Sequence, residues 1–461
     1  MWMLALMTFV NAILHQQGVQ NEYRLSLGII QIGIVELTMG LGFLYALVKG
    51  GAIRAQFPPL RTHPVLVWIL LPMGIGGLFG IAGGLLQGNE MKFVLSSARE
   101  WFAFPVCVIV GYRLLGQPRT AWRAAQVMLV GGVLTATALF YSFGAKTEAT
   151  QLSGNLNQMR GIINFYNADY ASVASLVLVF VVLTRFPLWT PWVSIPVGLY
   201  CYIGYAATLS RVGFLILFFG TASSYLLLTK GERMRKFLRS IVFIPLLFFA
   251  CWGALWVGDQ IIGRNFAGKV TKHIESLLPG DRDGKNEKAW DSRLGGIQAE
   301  LGIWLRNPLM GQGFGAGETE YLSGRTSGSA SIKHNSWTAS LAETGVIGCA
   351  GVAVMVGAMM LLGYRMVHDR TDRVSVLVGA LGFFGGVVLF LRCSGTMALT
   401  SRAAIGFGVI CGMVIRAREM QETELAYAQQ GAYDTAAFDD RAGLLATDYG
   451  YELSHFGTPN N

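Results

Sequence analysis

Charge is scarce in this chain. Of its 461 residues only 14% are Asp, Glu, Lys or Arg, while 53% are hydrophobic; a soluble domain carries about a quarter charged residues. The deficit comes from long apolar runs rather than uniform greasiness, so a water-soluble fold is excluded. Several chemical engines are absent as well. No Walker-type lysine follows a glycine loop, which excludes an ATP-driven machine of that kind. No HExxH string and no cluster of His and Cys offers metal-ligand spacing, so no metal is expected, and the loop aspartates do not pair as in a metal–sugar DxD site. The six cysteines lie in or beside apolar segments with no CxxC pair and read as small membrane-core hydrophobes. Gly311-Gln312-Gly313-Phe314-Gly315-Ala316 spells GxGxxA, but it follows Asn307-Pro308 and a helix instead of a strand, so no dinucleotide site and no cofactor is expected.

What is present is a series of membrane-spanning patterns. A spanning helix needs about 20 mostly apolar residues. Candidates run near Leu27–Val48, Val65–Leu86, Phe93–Leu115, Ala124–Tyr141, Ala171–Thr184, Val193–Thr208, Val212–Leu228, Ile241–Val257, Val346–Leu362, Val374–Leu391 and Ala403–Ile415. Met1–Leu14 is apolar but short; without a basic n-region or a small-residue cleavage site it does not read as a signal peptide. The 58 glycines fit close backbone approach between membrane helices. The net charge of +9 would suit a nucleic-acid binder, but Lys and Arg cluster in short loops between apolar runs, the membrane-topology pattern, and no nucleic-acid partner is expected.

Those loops set the orientation. Lys49–His63, Gln117–Arg123, Lys230–Arg239 and Tyr364–Arg373 are basic and belong inside. An alternating path then requires Met1–Leu14 as a first crossing and gives about twelve helices, with both chain ends inside. Gly144–Tyr170, Ser210–Arg211 and Gly258–Thr344 fall outside. The expected organisation is N-terminal membrane helices over residues 1–257, a large outer loop over 258–345, C-terminal membrane helices over 346–415 and a polar inner tail over 416–461. Gly258–Thr344 holds ten basic and ten acidic residues, a balance that suits a folded loop.

Charges at the membrane face of such a protein are where function is expected. Arg211 lies in a turn too short to be anything but a hairpin; it either snorkels to the interface or meets an anion. Arg293 follows Asp291, a candidate N-cap, at the start of a stretch in which Leu294, Ile297, Leu301 and Trp304 recur at helical spacing. A cation in a first turn opposes the helix dipole, so it either makes a surface salt bridge or serves an anion. Arg99 precedes Glu100, and a structural pair, within its helix or to a neighbour, competes with a binding role; Arg160 is most simply a solvated loop residue. His334 precedes Asn335, an N-cap type, where a helix leads into the next span. The positive end of a helix favours neutral imidazole, the form a general base needs. The other loop histidine, His273, lies in a charged stretch and reads as solvated.

Several strings together resemble the bacterial O-antigen ligase and O-antigen polymerase superfamily. They are His334-Asn335, nine residues, then Gly345-Val346-Ile347-Gly348; upstream, Asn307-Pro308-Leu309-Met310-Gly311-Gln312-Gly313-Phe314-Gly315, similar to an NPxxGxGxG loop; and Ser210-Arg211. Arg160-Gly161 with Asn164-Phe165-Tyr166-Asn167 is a weaker likeness, since Ala168 and Asp169 depart from the family order. The likeness spans about Arg160 to Leu362.

The resemblance implies an all-α, GT-C-like polytopic protein of the bacterial inner membrane with a large, mainly helical periplasmic loop. It further implies transfer of a glycan from an undecaprenyl-diphosphate-linked donor to a sugar hydroxyl, with neither metal nor nucleotide sugar and with inversion at the anomeric carbon. Arg211 and Arg293 would stabilise the departing diphosphate, with Arg99 and Arg160 as further candidates for the same anion. His334 would be the base, and Asn335 would orient it. A ligase uses lipid A-core as acceptor, a polymerase another lipid-linked repeat; the His-Asn string leans towards the ligase. A lipid-linked sugar flippase is the rival class, and the chain shows no internal repeat of the kind common in transporters. The orientation has a direct test: a reporter fused near Gly284 is expected to be active only as a periplasmic marker, and cytoplasmic activity there would remove the basis for the catalytic assignment.

Overall fold

The computed structural model describes residues 2–10, 24–27, 30–54, 63–114, 118–153, 169–206, 211–228, 253, 256, 285–317, 335–369, 372–395, 399 and 401–429. The elements in order are α1 (Trp2–Phe9), β1 (Arg24–Leu27), β2 (Ile30–Gly33), α2 (Ile34–Arg54), α3 (Pro64–Leu86), α4 (Met91–Leu114), α5 (Pro118–Ser153), α6 (Asp169–Thr184), α7 (Pro191–Ala206), α8 (Arg211–Ser223), α9 (Lys285–Leu305), α10 (Ser336–Asp369), α11 (Arg373–Gly395) and α12 (Ser401–Gln429). Two compact units divide the chain, Met1–Ala417 and Arg418–Asn461.

The protein is a helical, multi-pass membrane protein. Five helical stretches among the described residues are long and apolar enough to cross a bilayer: Pro64–Leu86, Met91–Leu114, Arg119–Phe140, Ser336–Asp369 and Arg373–Gly395. Shorter apolar helices cover Glu36–Val48, Tyr170–Thr184 and Val212–Leu227. The expected span Ile241–Val257 lies outside the described residues apart from 253 and 256. On α3 the side chains of Trp68 and Leu78 are 64% and 65% exposed, and Leu71 stands open beside them. Surfaces of that kind belong against lipid.

Three differences from the sequence reading have physical causes. The expected span from Leu27 starts instead at Ile34, because Arg24–Leu27 and Ile30–Gly33 pair as an antiparallel hairpin, with Leu25 opposite Ile32; the short β-prone run is stabilised by its neighbour rather than by helix. The last helix continues past Ile415 to Gln429. Arg418 pairs with Glu422 one turn on, at 2.8 Å, the spacing that supports a polar helix. The third concerns α9, which begins at Lys285, so Asp291 is inside the helix and does not cap it.

Proline marks several helix starts. Pro64, Pro118 and Pro191 each open a helix, where the missing N–H costs nothing and φ is already helical. His63 adds a cap to α3, its Nδ1 accepting from the Val65 N–H at 3.3 Å. Small residues then let the helices approach. A Cβ on Gly76 of α3 would lie 2.5 Å from Cα of Gly348 on α10, and one on Gly351 would lie 2.6 Å from the Met73 side chain. Gly363 and Gly379 bring α10 and α11 together in the same way. Helix α11 is the most enclosed of the five spans.

The segment after α9 is the structural keystone of the described region. Helix α10 is interrupted at Gly345, which has φ 66° and ψ −168°. The break frees carbonyls before it and N–H groups after it, and Asn307–Gly315 supplies their partners. Gln312 and Gly313 donate to the carbonyls of Ala342 and Glu343 at 2.7 and 3.2 Å. Val346 and Ile347 donate to the carbonyls of Pro308 and Leu309 at 3.0 and 3.4 Å. Phe314 is fully buried against Gly80 and Gly84 of α3, its N–H donating to the Gly80 carbonyl at 2.7 Å, and its ring packs 6.1 Å from Trp101. Gly313 has φ 85°, and a Cβ there would collide with the backbone of Gly83 and Gly84. Gly313→Ala is therefore expected to cost at least ~1–2 kcal/mol for the left-handed backbone alone, read as a lower melting temperature of the detergent-purified protein; an unchanged melt would show the loop is not fixed there.

Candidate functional site

The loop keystone lies at one end of the helix bundle. The start of α10 is held there by Asn335, whose side-chain carbonyl accepts from the N–H groups of Trp337 at 2.9 Å and Thr338 at 3.3 Å. This is the N-cap expected from sequence. The Asn335 amide also donates to the Ser394 carbonyl at 3.1 Å, and the Trp337 indole N–H donates to the Ser394 hydroxyl at 3.3 Å. Asn335 thus ties the first turn of α10 to the last turn of α11. His334, the residue before it, lies outside the described residues.

The first segment of α10, Ser336 to Thr344, is buried on most sides. Helix α9 packs on it through Ile303, which clusters with Ala316 and Ala342. Thr338 donates its hydroxyl to the carboxylate of Glu300 on α9, and Glu300 is 2% exposed. Glu343 is buried as well. Its Oε1 accepts from the Ser97 hydroxyl on α4 at 3.1 Å and from the Gly315 N–H at 3.2 Å. One carboxylate oxygen therefore joins the membrane helix, the broken helix and the glycine loop.

Beside this junction is a small pocket of ≈ 30 Å³, lined by Ser97, Glu100, Trp101, Ser336, Ala339, Ser340, Glu343 and Leu399. The hydroxyls of Ser97 and Ser340 are already donated, to Glu343 and to the Ser336 carbonyl at 2.6 Å. Trp101 donates its indole N–H to the Met73 carbonyl at 2.8 Å, which fixes the ring as an apolar wall. Among the described residues no three His, Cys, Asp or Glu side chains gather as a metal site.

The arginines singled out from sequence are distributed unevenly. Arg211 is the first residue of α8 and Arg293 lies within α9, seven residues before Glu300; their side chains lie outside the described residues. Since α9 begins at Lys285, Arg293 is not in a first turn, and the free N–H groups expected beside it belong to residues further upstream. Arg160 lies outside the described residues. Arg99 of α4 pairs with Glu36 of α2, Nε to Oε1 at 3.8 Å. The structural pairing to a neighbouring helix, one of the two pairings expected from sequence, is thus present.

Three site residues went unread in the sequence. Glu343 and Glu300 are acidic residues within otherwise apolar helix faces, and Arg392 in the last turn of α11 is only 3% exposed. A charge within a spanning helix was the available signal for Glu343 and Arg392, and Arg392 stands two residues before Ser394, the partner of Asn335. Removing the cap by Asn335→Ala is expected to cost ~0.5–2 kcal/mol, seen as a lower melting temperature, with Asn335→Asp retaining the helix cap and most of the stability. Equal losses in both variants would assign the effect to the Ser394 bond instead.

Residues 196–353 match the family model described as O-antigen ligase. The matched stretch contains Arg211, Arg293, His334, Asn335, Gly345 and Gly348 and leaves Arg99 and Arg160 outside it. No curated protein matches the chain. The match supports a likeness to the O-antigen ligase and polymerase superfamily over that stretch.

Proposed function

We propose that the protein transfers a glycan from an undecaprenyl-diphosphate-linked donor to a sugar hydroxyl on lipid A-core, at the periplasmic face of the bacterial inner membrane. The observation that carries this reading is the union of two strings. The helix that follows His334-Asn335 ends at Gly345, and the NPxxGxGxG loop closes that end by backbone hydrogen bonds. Residues far apart in the chain are thereby built into one rigid unit within the O-antigen ligase match. In this reading residues 258–345 form a periplasmic catalytic loop between membrane helices over 1–257 and 346–415, about twelve in all, and 416–461 is a cytoplasmic tail.

The reaction needs a base, a leaving-group stabiliser and a rigid frame. His334 takes the proton from the acceptor hydroxyl as its oxygen attacks the anomeric carbon. The bond from that carbon to the diphosphate oxygen breaks on the opposite face, so the product is inverted. Undecaprenyl diphosphate leaves with the bonding electrons, and Arg211 and Arg293 stabilise the charge that develops on it. The donor already carries its leaving group, so no nucleotide is consumed. Asn335 holds the chain next to His334 by capping α10 and bonding α11. Arg99, engaged with Glu36, and Arg160 have lesser claims on the donor. Polymerase chemistry differs only in the acceptor.

The assay is transfer by the purified chain from a lipid-linked donor to lipid A-core, without ATP. His334→Ala is expected to lose about 10²–10⁴-fold at unchanged membrane levels, and Arg211→Ala to cripple transfer, with Lys restoring part of it. A His334→Ala protein at wild-type rate would remove the base, and transfer to lipid-linked repeats alone would assign the chain as a polymerase.

A further inference from the structure

Within the outer loop expected over 258–345, the end of α9 and the glycine loop carry an apolar face that the fold leaves open. Residues 311–317 are buried. Just before them Leu305, Pro308, Leu309 and Met310 are exposed, Leu309 to 64%. Trp304 adjoins them, its indole N–H donating to the Pro308 carbonyl at 2.9 Å. Contacts with the spanning helices fix how deep this face lies. Gly348 of α10 packs on Gly76, at the middle of the 23-residue α3. Only three residues before Gly348, α10 breaks at Gly345, and the Ile347 N–H donates to the Leu309 carbonyl at 3.4 Å. The Phe314 N–H donates to the carbonyl of Gly80, six residues before α3 ends at Leu86. At 1.5 Å per residue Gly80 lies about 9 Å inside that end. The loop therefore enters the thickness of the span. Non-helical backbone at such depth requires protein partners for its polar groups, and the bonds to both sides of the α10 break supply them.

We infer that Leu305, Leu309, Met310 and Val346 touch the acyl chains of the leaflet on that side, so that residues 304–315 form a re-entrant membrane loop instead of part of an aqueous one. The occupant follows from continuity with the surface of a spanning helix. Val346, Ala350, Ala353, Gly357 and Leu361 are exposed at helical spacing down α10, a stripe that belongs against lipid in a span. Leu309 extends this stripe upward from Val346, whose N–H donates to the neighbouring Pro308 carbonyl at 3.0 Å. Composition agrees. Arg306 is the one charged residue between Trp304 and Gly315. It directly follows α9, and an arginine and a tryptophan at a helix end suit the boundary between hydrocarbon and headgroups. The loop is then two-faced for a physical reason: its glycines close on α3 and α10, where side chains have no room, and its aliphatic residues face the acyl chains. This contact with lipid holds whatever the protein transfers, so its test needs no activity assay.

Two measurements on the full chain in phosphatidylcholine–phosphatidylglycerol nanodiscs test this. The first needs no substitution. Met91 and Met310 have similar exposure on the protein, 48% and 40%, but Met91 lies beyond the end of α3, between the ion-paired Glu90 and Lys92. Peroxymonosulfate is an anion and stays out of hydrocarbon, and methionine oxidation follows access. Met91 is therefore expected to become sulfoxide several-fold faster than Met310, read by peptide mass spectrometry, with the difference lost in urea-unfolded chain. Equal rates in nanodiscs overturn the inference. The second separates lipid from a protein cover. Spin labels are placed by Leu309→Cys or Met310→Cys, with Leu361→Cys as the lipid-facing reference, in a chain whose six native cysteines are replaced by alanine. Labels at 309 and 310 are expected to collide with oxygen far more than with a water-soluble nickel chelate, as at 361. Frequent collision with the chelate places the loop in water and overturns the inference. Rare collision with both overturns it too, since another copy or another segment of the chain then covers the patch. If the cysteine-free chain does not fold, the methionine comparison decides.

Discussion

The described structure depends on the repair of a broken helix. Helix α10 stops being helical at Gly345, and a break next to a membrane span leaves backbone groups that lipid cannot satisfy. The loop Asn307–Gly315 supplies donors to the carbonyls on one side of the break and acceptors to the N–H groups on the other. This exchange fixes the distance between α9 and α10, buries Phe314 against α3 and places Glu343 where Ser97 and the Gly315 N–H can reach it. Three glycines in the loop, Gly311, Gly313 and Gly315, have positive φ, which lets the chain turn between the carbonyls of Pro308 and Leu309 on one side of the break and the N–H groups of Gln312 and Gly313 on the other.

A site of this kind gains from having its supports in rigid helices. The residues beside His334 are held from several directions: Asn335 by Ser394 on α11, Thr338 by Glu300 on α9 and Glu343 by Ser97 on α4. The Thr338–Glu300 and Glu343–Ser97 contacts are buried, where an unmatched partner is costly and the geometry is correspondingly well defined. Precision of that order is what a group-transfer reaction requires, because the reacting atoms must meet at about 3–3.5 Å. The polar contacts occur among spans that otherwise pack through glycine and small side chains. The contrast separates the glycine-packed spans from the polar junction at the helix break.

The sequence by itself determined the class of protein and much of its punctuation. Low charge and long apolar runs require a membrane, since their exposed surface has no other partner. Asn335 read as a helix cap and is one, because capping depends only on a side chain and the next few N–H groups. The glycine loop and the Gly345-x-x-Gly348 string were visible as strings, and the family match falls on them. What tertiary structure alone decided was which polar groups meet. Arg99 meets Glu36, some sixty residues away, because the packing of α2 on α4 sets that distance. The start of α9 lies six residues ahead of the expected cap, in a helix that packs on α10 further along through Ile303, and packing of a helix face outweighs a local cap signal. Glu343, Glu300 and Arg392 carried no local pattern that named their partners; contacts such as Glu343 with Ser97, 246 positions away, and Glu300 with Thr338, 38 positions away, depend on how helices pack, and single-chain periodicity holds no record of that.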